Sequence, residues 1–386
     1  MALRQGTVED LGRLALRKEP TAETLRSAYA GRRVLVTGHT GFKGGWLSTW
    51  LVSLGAEVTG LALPPNTVPS LFDDAGISEV CRHWEGDVRD LGTLRTILRE
   101  TRPHIVFHLA AQALVRRSYE EPIDTLETNV TGTAKLLEAM RLEAQRCALV
   151  VVTSDKCYEN REWTFGYRES DRLGGHDVYS MSKGAAELVV ESWRRSFFPP
   201  ERLSEHGVAV ASARAGNVIG GGDWAEDRIV PDAVRALVSG TPVPVRNPDA
   251  IRPWQHVLEP LGGYLLLGAR LLGPDAPRHC EAWNFGPAPE SAQPVSEVVN
   301  AVIEAWGTGS WKTAPRPGAL HEAGVLRLAI DKASTRLNWH PRWGLSKAVT
   351  KTIEWYRAHE DGMRGKALRD LCVRQVAAYI ASERGS

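Results

Sequence analysis

Cysteine is scarce in this chain of 386 residues: five are present, Cys81, Cys147, Cys157, Cys280 and Cys372, odd in number and scattered. That pattern excludes a disulfide framework and paired metal-ligand spacing, and it points to a reduced, cytoplasmic setting without a structural metal. No apolar run approaches the roughly 18 residues that span a bilayer. The N-terminus lacks the apolar segment and small-residue cleavage site of a secretion signal. Neither sign of charge is in excess, with 47 Lys and Arg against 46 Asp and Glu. Composition therefore gives no reason to expect nucleic acid or a membrane surface as partner. Internal repeats and low-complexity tracts are also missing. What is there, 43% hydrophobic and 24% charged residues, is ordinary for a globular chain, and the length implies two lobes or one domain with large insertions.

Alternation of strand-like and helix-like segments begins at Arg33. Val34-Leu35-Val36 is a short β-branched run of the kind that forms a buried parallel strand. A helix is expected over Trp46–Leu54, stopped by Gly55. Further strands are expected over Glu57–Leu63, His83–Asp87, His104–Ala110, Ala148–Thr153 and Val208–Ala213. Helices are expected over Leu91–Arg99, Ile123–Arg141 and Val178–Phe197. This order predicts an α/β fold, a Rossmann-type doubly wound parallel sheet with ligands at the strand C-termini. After Asn217 Gly and Pro become frequent, and Trp224, Trp254, Trp283, Trp306 and Trp311 follow, most of them expected in the core. The chain thus divides into an N-terminal extension (1–29, with a short amphipathic helix over Glu9–Lys18) and a nucleotide-binding domain (30–216). A smaller substrate-binding lobe interleaved with late elements of the first domain (217–360) and a tail (361–386) complete it.

Gly38, Gly41 and Gly44 are spaced GxxGxxG between the first strand and the first helix. Glycines there permit a tight turn, close approach of backbone to a pyrophosphate, and tight helix–strand packing, which is the requirement of a dinucleotide site. The ribose-binding acid expected about 20 residues on is absent, since the second strand ends Leu61-Ala62-Leu63, and no arginine cluster stands there for a 2′-phosphate. Asp87, in Gly86-Asp87-Val88, is a candidate adenine contact or a loop cap.

Tyr179 and Lys183 lie four residues apart and share a helix face. A lysine cation beside a phenol stabilises phenolate, which can accept a hydroxyl proton as hydride leaves the same carbon. Thr153-Ser154-Asp155-Lys156-Cys157-Tyr158 follows the fifth strand, so its polar residues emerge at the same sheet edge. Ser154 can bond a sugar hydroxyl. Dehydrogenation alone needs the serine and the Tyr–Lys pair; the adjacent acid and base of Asp155-Lys156 suit elimination.

These residues resemble the CDP-glucose 4,6-dehydratases, extended short-chain dehydrogenase/reductases of the NAD-dependent epimerase/dehydratase family. The resemblance runs from about Arg32 to about Tyr356. It is carried by Val36 to Gly44, Thr153 to Asn160, Gly166-Tyr167-Arg168-Glu169, Ala215 to Trp224 and Ile251 to Val257. It implies tightly held NAD, contacted by Gly38, Thr40, Gly41, Phe42, Lys43, Gly44, Asp87, Val88, Ala110, Ala111, Gln112, Asn129, Tyr179 and Lys183. It implies oxidation at C4 by Tyr179 with Lys183 and Ser154, proton removal at C5 by Lys156, and protonation of the departing C6 hydroxyl by Asp155. A lysine is a base only when neutral, and the expectation is that Lys156 is buried near Lys183, where like charges favour that form. The resemblance further implies a nucleotide sugar as substrate, met by Arg116, Asn217, Arg228 and Arg252. A homodimer or homotetramer is expected, paired through Ile123–Arg141 and Val178–Phe197. Two rivals are a nucleotide-sugar 4-epimerase or reductase, which needs no Asp155-Lys156, and a catalytically silent dinucleotide sensor, which usually lacks the tyrosine or the lysine.

Overall fold

Short apolar runs bounded by turn residues become the strands of one sheet in the computed structural model, which describes residues 21–288, 291–314 and 325–383. The helix Glu9–Lys18 expected from the sequence lies outside those residues. Among the described residues the first element is helix α1 (Ala22–Tyr29), followed by β1 (Arg33–Thr37), α2 (Phe42–Ser53), β2 (Glu57–Ala62), β3 (Arg82–Glu85), α3 (Leu91–Thr101) and β4 (Ile105–His108). Then come α4 (Gly132–Glu143), β5 (Cys147–Val152), α5 (Val178–Ser196) and β6 (Val208–Ala215). The later part supplies α6 (Ile229–Val238), α7 (Leu258–Leu271), β7 (Ala282–Phe285), α8 (Val295–Trp306), α9 (Leu345–Glu360) and α10 (Gly365–Ala381). The sheet order is β7-β6-β5-β4-β1-β2-β3 and every pairing is parallel. Chain order reverses between β1 and β4, and there the strand C-termini open a ligand crevice.

β4, β5 and β6 are buried along their whole length, as strands covered on both faces must be. One face packs under Trp46, Trp50, Leu261, Leu265 and Tyr379, the other under Leu94, Leu136, Met140 and Val190. The seventh strand comes from the region the sequence reading places mainly in the second lobe. Trp283 and Phe285 anchor it in the core, while the buried Asn284 amide bonds the Tyr167 carbonyl.

Four boundaries differ from the sequence reading. Residues 22–29, counted with the extension, form α1, whose Leu25 and Tyr29 enter the core, with the Tyr29 hydroxyl donating to the Leu265 carbonyl (2.6 Å). Residues 365–381, counted as tail, form α10, whose Leu368, Leu371 and Tyr379 are buried. The helix expected over Ile123–Arg141 is interrupted by a π turn at Glu127–Thr131. That turn carries Asn129, whose amide is held by the Gln112 carbonyl and the Ser182 hydroxyl, the kind of local demand that π turns serve. Helix α2 also starts at Phe42, earlier than the expected Trp46.

Beyond Asn217 the strands outside the main sheet form short two-stranded ribbons rather than a second large sheet. Ile251–Pro253 pairs antiparallel with Ala292–Pro294, Val243–Val245 pairs parallel with Trp311–Thr313, and Val218–Ile219 pairs parallel with Gln255–His256. Trp224, Trp254 and Trp283 are buried, whereas Trp306 and Trp311 are partly exposed. Among the described residues no helix is long and apolar enough to cross a membrane, and no cluster of His, Cys, Asp and Glu is arranged to hold a metal ion.

Candidate active site

The glycine loop leaves β1 and enters α2 through contacts that admit no side chain. Gly38 has a φ of 77°, and a Cβ there would lie 2.7 Å from the Ala110 nitrogen. A Cβ on Gly44 would lie 2.1 Å from the Gly38 carbonyl oxygen. The N-cap of α2 is Gly41, with no side-chain cap and no acidic residue in the first turn. Its free amides and the positive end of its dipole suit an anionic group. The residues present therefore fit a dinucleotide pyrophosphate.

The flanking loops are braced for the same role. The Ala110 amide donates to the Thr37 hydroxyl (3.2 Å), and the Gln112 amide donates to the Asn129 side-chain oxygen (2.9 Å). Gln112 and Asn129, expected to contact the cofactor, spend their side chains holding the β4 loop: the Gln112 amide reaches Leu114 and Thr125. Ala111 follows Ala110 at this edge, and Val88 is buried beneath it. Asp87 is paired with Arg89 (2.6 Å), which also reaches Asp124 (2.5 Å). Hydrogen bonding to Arg89 holds the Asp87 carboxyl below its ordinary value against the opposing effect of burial. At the end of β2 the Thr40 hydroxyl donates to the Leu63 carbonyl (2.9 Å), and His39 packs against Gly60 and bonds His83 (2.8 Å).

At the other end of the loop a polar cluster forms. Ser154 caps the short turn Asp155–Cys157 directly after β5, accepting from the Lys156 amide (3.3 Å). The Ser154 hydroxyl donates to one Asp155 oxygen (2.9 Å) and is also hydrogen-bonded to the Tyr179 phenol. Asp155 is 2% exposed, and its second oxygen has no partner among the described residues. Gly216 leaves room for it, because a Cβ there would come within 2.8 Å. Burial pushes the Tyr179 phenol up to about 12, and the bond to Ser154 opposes that rise. The Lys183 ammonium lies 5.9 Å from the Tyr179 ring centre. Burial pulls Lys183 down to about 8, while Glu187 pulls it back up.

Lys43 joins this cluster. Its ammonium is 3.4 Å from the Tyr264 hydroxyl and is brought down to about 7, first by burial and then by the Arg228 charge; Asp155 raises it and Lys183 lowers it further. Arg228 is paired with Asp223 (2.7 Å), and its charge reaches Tyr179. Lys156 is half-buried, and no hydrogen bond or ion pair of its ammonium is found among the described residues. Lys43 projects from the first turn of α2, and the Lys183 charge acts on it there.

Among the residues expected to meet the substrate, Arg116 pairs with Asp227 (3.0 Å), which also holds Arg246 (3.0 Å). The Asn217 carbonyl accepts from the Gln255 amide (3.2 Å), and Arg252 donates to the Ile251 carbonyl (3.0 Å). Sequence reasoning missed the buried pair behind the cluster, Glu187 and Arg214 (2.9 Å, side chains 3% and 4% exposed). Glu187 also accepts from the Thr153 and Ser212 hydroxyls, and Arg214 donates to Tyr158 (2.7 Å). Its signal was present: Tyr179, Lys183 and Glu187 fall at i, i+4 and i+8 of one helix.

Comparison with known proteins follows this geometry. The family model for GDP-mannose 4,6 dehydratase matches residues 35–267. A CDP-glucose 4,6-dehydratase of Salmonella typhimurium is 47% identical over 357 residues, 92% of this chain and 98% of that protein. A dTDP-glucose 4,6-dehydratase of Xanthomonas campestris pv. campestris is 27% identical over 86% of this chain and 95% of its own length. Among solved structures, a UDP-glucose 4-epimerase of Thermus thermophilus in complex with NAD superposes with a TM-score of 0.70 at 26% identity, over 84% of this chain and 99% of that one. A dTDP-glucose 4,6-dehydratase of Streptomyces venezuelae shares the fold at a TM-score of 0.71 and 24% identity, over 85% of this chain and 98% of the other. With the model spanning more than half of the residues and the Salmonella enzyme alike across nearly all of them, the chain belongs to the GDP-mannose 4,6-dehydratase family, in which it stands with the CDP-glucose 4,6-dehydratases.

Proposed function

We propose that this protein is a hydro-lyase that converts CDP-D-glucose to CDP-4-dehydro-6-deoxy-D-glucose and water, with NAD as resident cofactor. One observation carries the reading: Asp155, with an unpartnered buried oxygen, shares Ser154 with Tyr179. An epimerase needs the phenol but no acid beside it; elimination needs both. The likeness to the Salmonella enzyme, across 92% of the chain, supports cytidine as the base.

Each group then has one task. NAD, when bound, accepts hydride from C4 and returns it to C6, so it is regenerated in every turnover. Tyr179 takes the proton of the 4-hydroxyl, and the Lys183 cation stabilises the phenolate. Ser154 orients that hydroxyl. The 4-ketone acidifies the C5 proton, which passes to Lys156. Asp155 gives its proton to the C6 oxygen as the C6–O bond breaks, and water departs. Lys156 returns a proton to C5 after hydride has reached C6. Arg116, Asn217, Arg228 and Arg252 hold the nucleotide diphosphate, a role that guanidinium groups suit.

A homodimer is the proposed assembly, joined through helices α4 and α5 and the turns that precede α4. Ile123, Leu142, Met181, Leu188 and Phe197 are exposed on these elements (64%, 43%, 38%, 56% and 45%), an apolar surface that pairing would cover. A cytoplasmic location agrees with five free, buried cysteines. The test is to incubate the protein with CDP-, dTDP-, GDP- and UDP-glucose and read the ultraviolet band that a 4-keto product develops in alkali. Product is expected from CDP-glucose foremost. A C4 epimer without 4-keto product, from any of the four, overturns the reading.

A further inference from the structure

The turn that carries Asp155 and Lys156 is short, and its own hydrogen bonds are long. Ser154 caps its start, but the Cys157 amide reaches the Ser154 carbonyl at 3.2 Å and the Tyr158 amide reaches the Asp155 carbonyl at 3.4 Å. The far end of the turn is held from outside, through Tyr158. That residue is 1% exposed, and its hydroxyl donates to the Asn284 side-chain oxygen on β7 (2.7 Å) and accepts from the Arg214 guanidinium on β6 (2.7 Å). Its ring stacks on Tyr167, with centres 5.3 Å apart and planes 19° from parallel, and the Arg214 guanidinium lies 5.0 Å from the ring centre. Asn284 is fixed in turn, because its amide donates to the Tyr167 carbonyl (2.8 Å) and the Ala329 carbonyl (3.2 Å). Burial pushes the Tyr158 phenol above its ordinary value, so it keeps its proton and takes none from a sugar.

We propose that Tyr158 is a positioning residue for the elimination half of the reaction: its hydroxyl, clamped between β6 and β7, sets where Asp155 and Lys156 stand against a sugar that is oxidised from a different element. The inference rests on the dehydratase reading above and goes beyond it, since Tyr158 acts only through the turn. Oxidation at C4 depends on Tyr179 and Lys183, which ride on α5, and on Ser154, which precedes the turn and is bonded to Tyr179. Elimination depends on the two residues that directly follow Ser154 and lie within the span that Tyr158 closes. A turn anchored at its start alone is free to swing, and a misplacement of about 1 Å at a reacting group costs about a hundredfold in rate. The plain alternative is that Tyr158 is one more core side chain, whose hydroxyl contributes stability and nothing else. The two roles separate by step, because loss of stability does not distinguish oxidation from elimination, whereas a displaced acid and base slow elimination alone.

The experiment follows reduced-nicotinamide absorbance in a single turnover of the NAD-loaded enzyme with CDP-glucose, for wild type, Tyr158→Phe and Tyr167→Phe, beside urea unfolding of each. Tyr158→Phe keeps the stacked ring and removes only the clamped hydroxyl. In this variant reduced nicotinamide is expected to form at the wild-type rate and to decay about tenfold to a hundredfold more slowly. Tyr167→Phe removes a hydroxyl from the same stack, one that meets Asn160 (3.0 Å) and the Arg161 amide (2.6 Å) rather than β6 and β7. It is expected to lose stability and keep both rates. Equal slowing of formation and decay in Tyr158→Phe, wild-type decay in Tyr158→Phe, or slowed decay in Tyr167→Phe overturns the inference. If Tyr158→Phe does not fold, Asn284→Ser, which withdraws the acceptor of the Tyr158 hydroxyl, carries the same expectation. Absence of 4-keto product from wild type sinks the dehydratase reading and this inference with it; product from wild type without the split between the two rates in Tyr158→Phe sinks the inference alone.

Discussion

Replacing Lys183 with methionine should make the nucleotide-free protein more stable while abolishing turnover. Lys183 is 6% exposed, and burial holds its ammonium at about 8, against 10.5 for an ordinary lysine. At about 1.4 kcal/mol for each pH unit between those values, keeping the charged group in place costs on the order of 3 kcal/mol of folding free energy. Methionine has similar length and no charge to desolvate, so it removes that cost. The sign with pH follows from linkage. The folded value is the lower one, so the unfolded chain binds more protons between about pH 8 and 10.5, and wild-type stability rises across that window. The advantage of Lys183→Met should therefore be full at pH 7 and smaller at about pH 10. Thermal unfolding of both proteins at the two pH values measures it. One kcal/mol moves Tm by about 2–4 °C in chains of about 150–250 residues and by less in a longer one, so a rise of a few degrees is expected at pH 7. A variant less stable than wild type at pH 7, or a difference that does not shrink at pH 10, refutes the reasoning.

Other outcomes follow from the same geometry. Tyr179→Phe keeps the ring and its packing but removes the proton acceptor, so kcat should fall about a hundredfold to ten-thousandfold, with affinity for CDP-glucose by calorimetry unchanged. Asp155→Asn should still oxidise C4 but not expel water, so reduced-nicotinamide absorbance should build up in a single turnover instead of passing transiently. Gly44→Ala puts a methyl 2.1 Å from the Gly38 carbonyl oxygen, and mass spectrometry of the denatured proteins should find NAD with wild type and none with the variant. Glu187→Gln leaves Arg214 buried without its counter-charge, which should destabilise the fold by about 3–5 kcal/mol in urea unfolding.

What was legible in the sequence follows from how local each signal is. The strands of the first half show themselves because each is a short run of Val, Ile, Leu or Ala bounded by turn residues, and parallel burial demands that composition along the whole strand. β7 escapes notice as part of the sheet: it is four residues long, carries Asn284 in its middle and arrives after a long excursion through the smaller lobe. Nothing in Ala282–Phe285 alone says that it pairs with β6. Tyr179, Lys183, Ser154 and Asp155 were legible since helix spacing and a strand end place them. The position of Lys43 was not, because where a long flexible side chain ends depends on Tyr264, more than 200 residues away, and on which cations its neighbours already neutralise.

Convergence of the reacting groups is a matter of strand register, which is why so little of it depends on loops. In the β5–β6 pair Val152 stands opposite Ala213, and both strands run parallel into the site. Just beyond the last pair Asp155 comes beside Gly216, the residue whose missing Cβ admits the free Asp155 oxygen. A slip of one residue would turn every side chain of β5 to the opposite face. Ser154 would then leave Tyr179, and the buried run from Cys147 to Val152 would lose its packing at the same time. The hydrophobic core thereby enforces the alignment of the acid with the phenol, so the energy that specifies the fold also specifies the chemistry. Behind them, Glu187 reaches Thr153 just after β5 and Ser212 and Arg214 on β6. It ties α5, which carries Tyr179 and Lys183, to both strands at the level where the reacting groups begin.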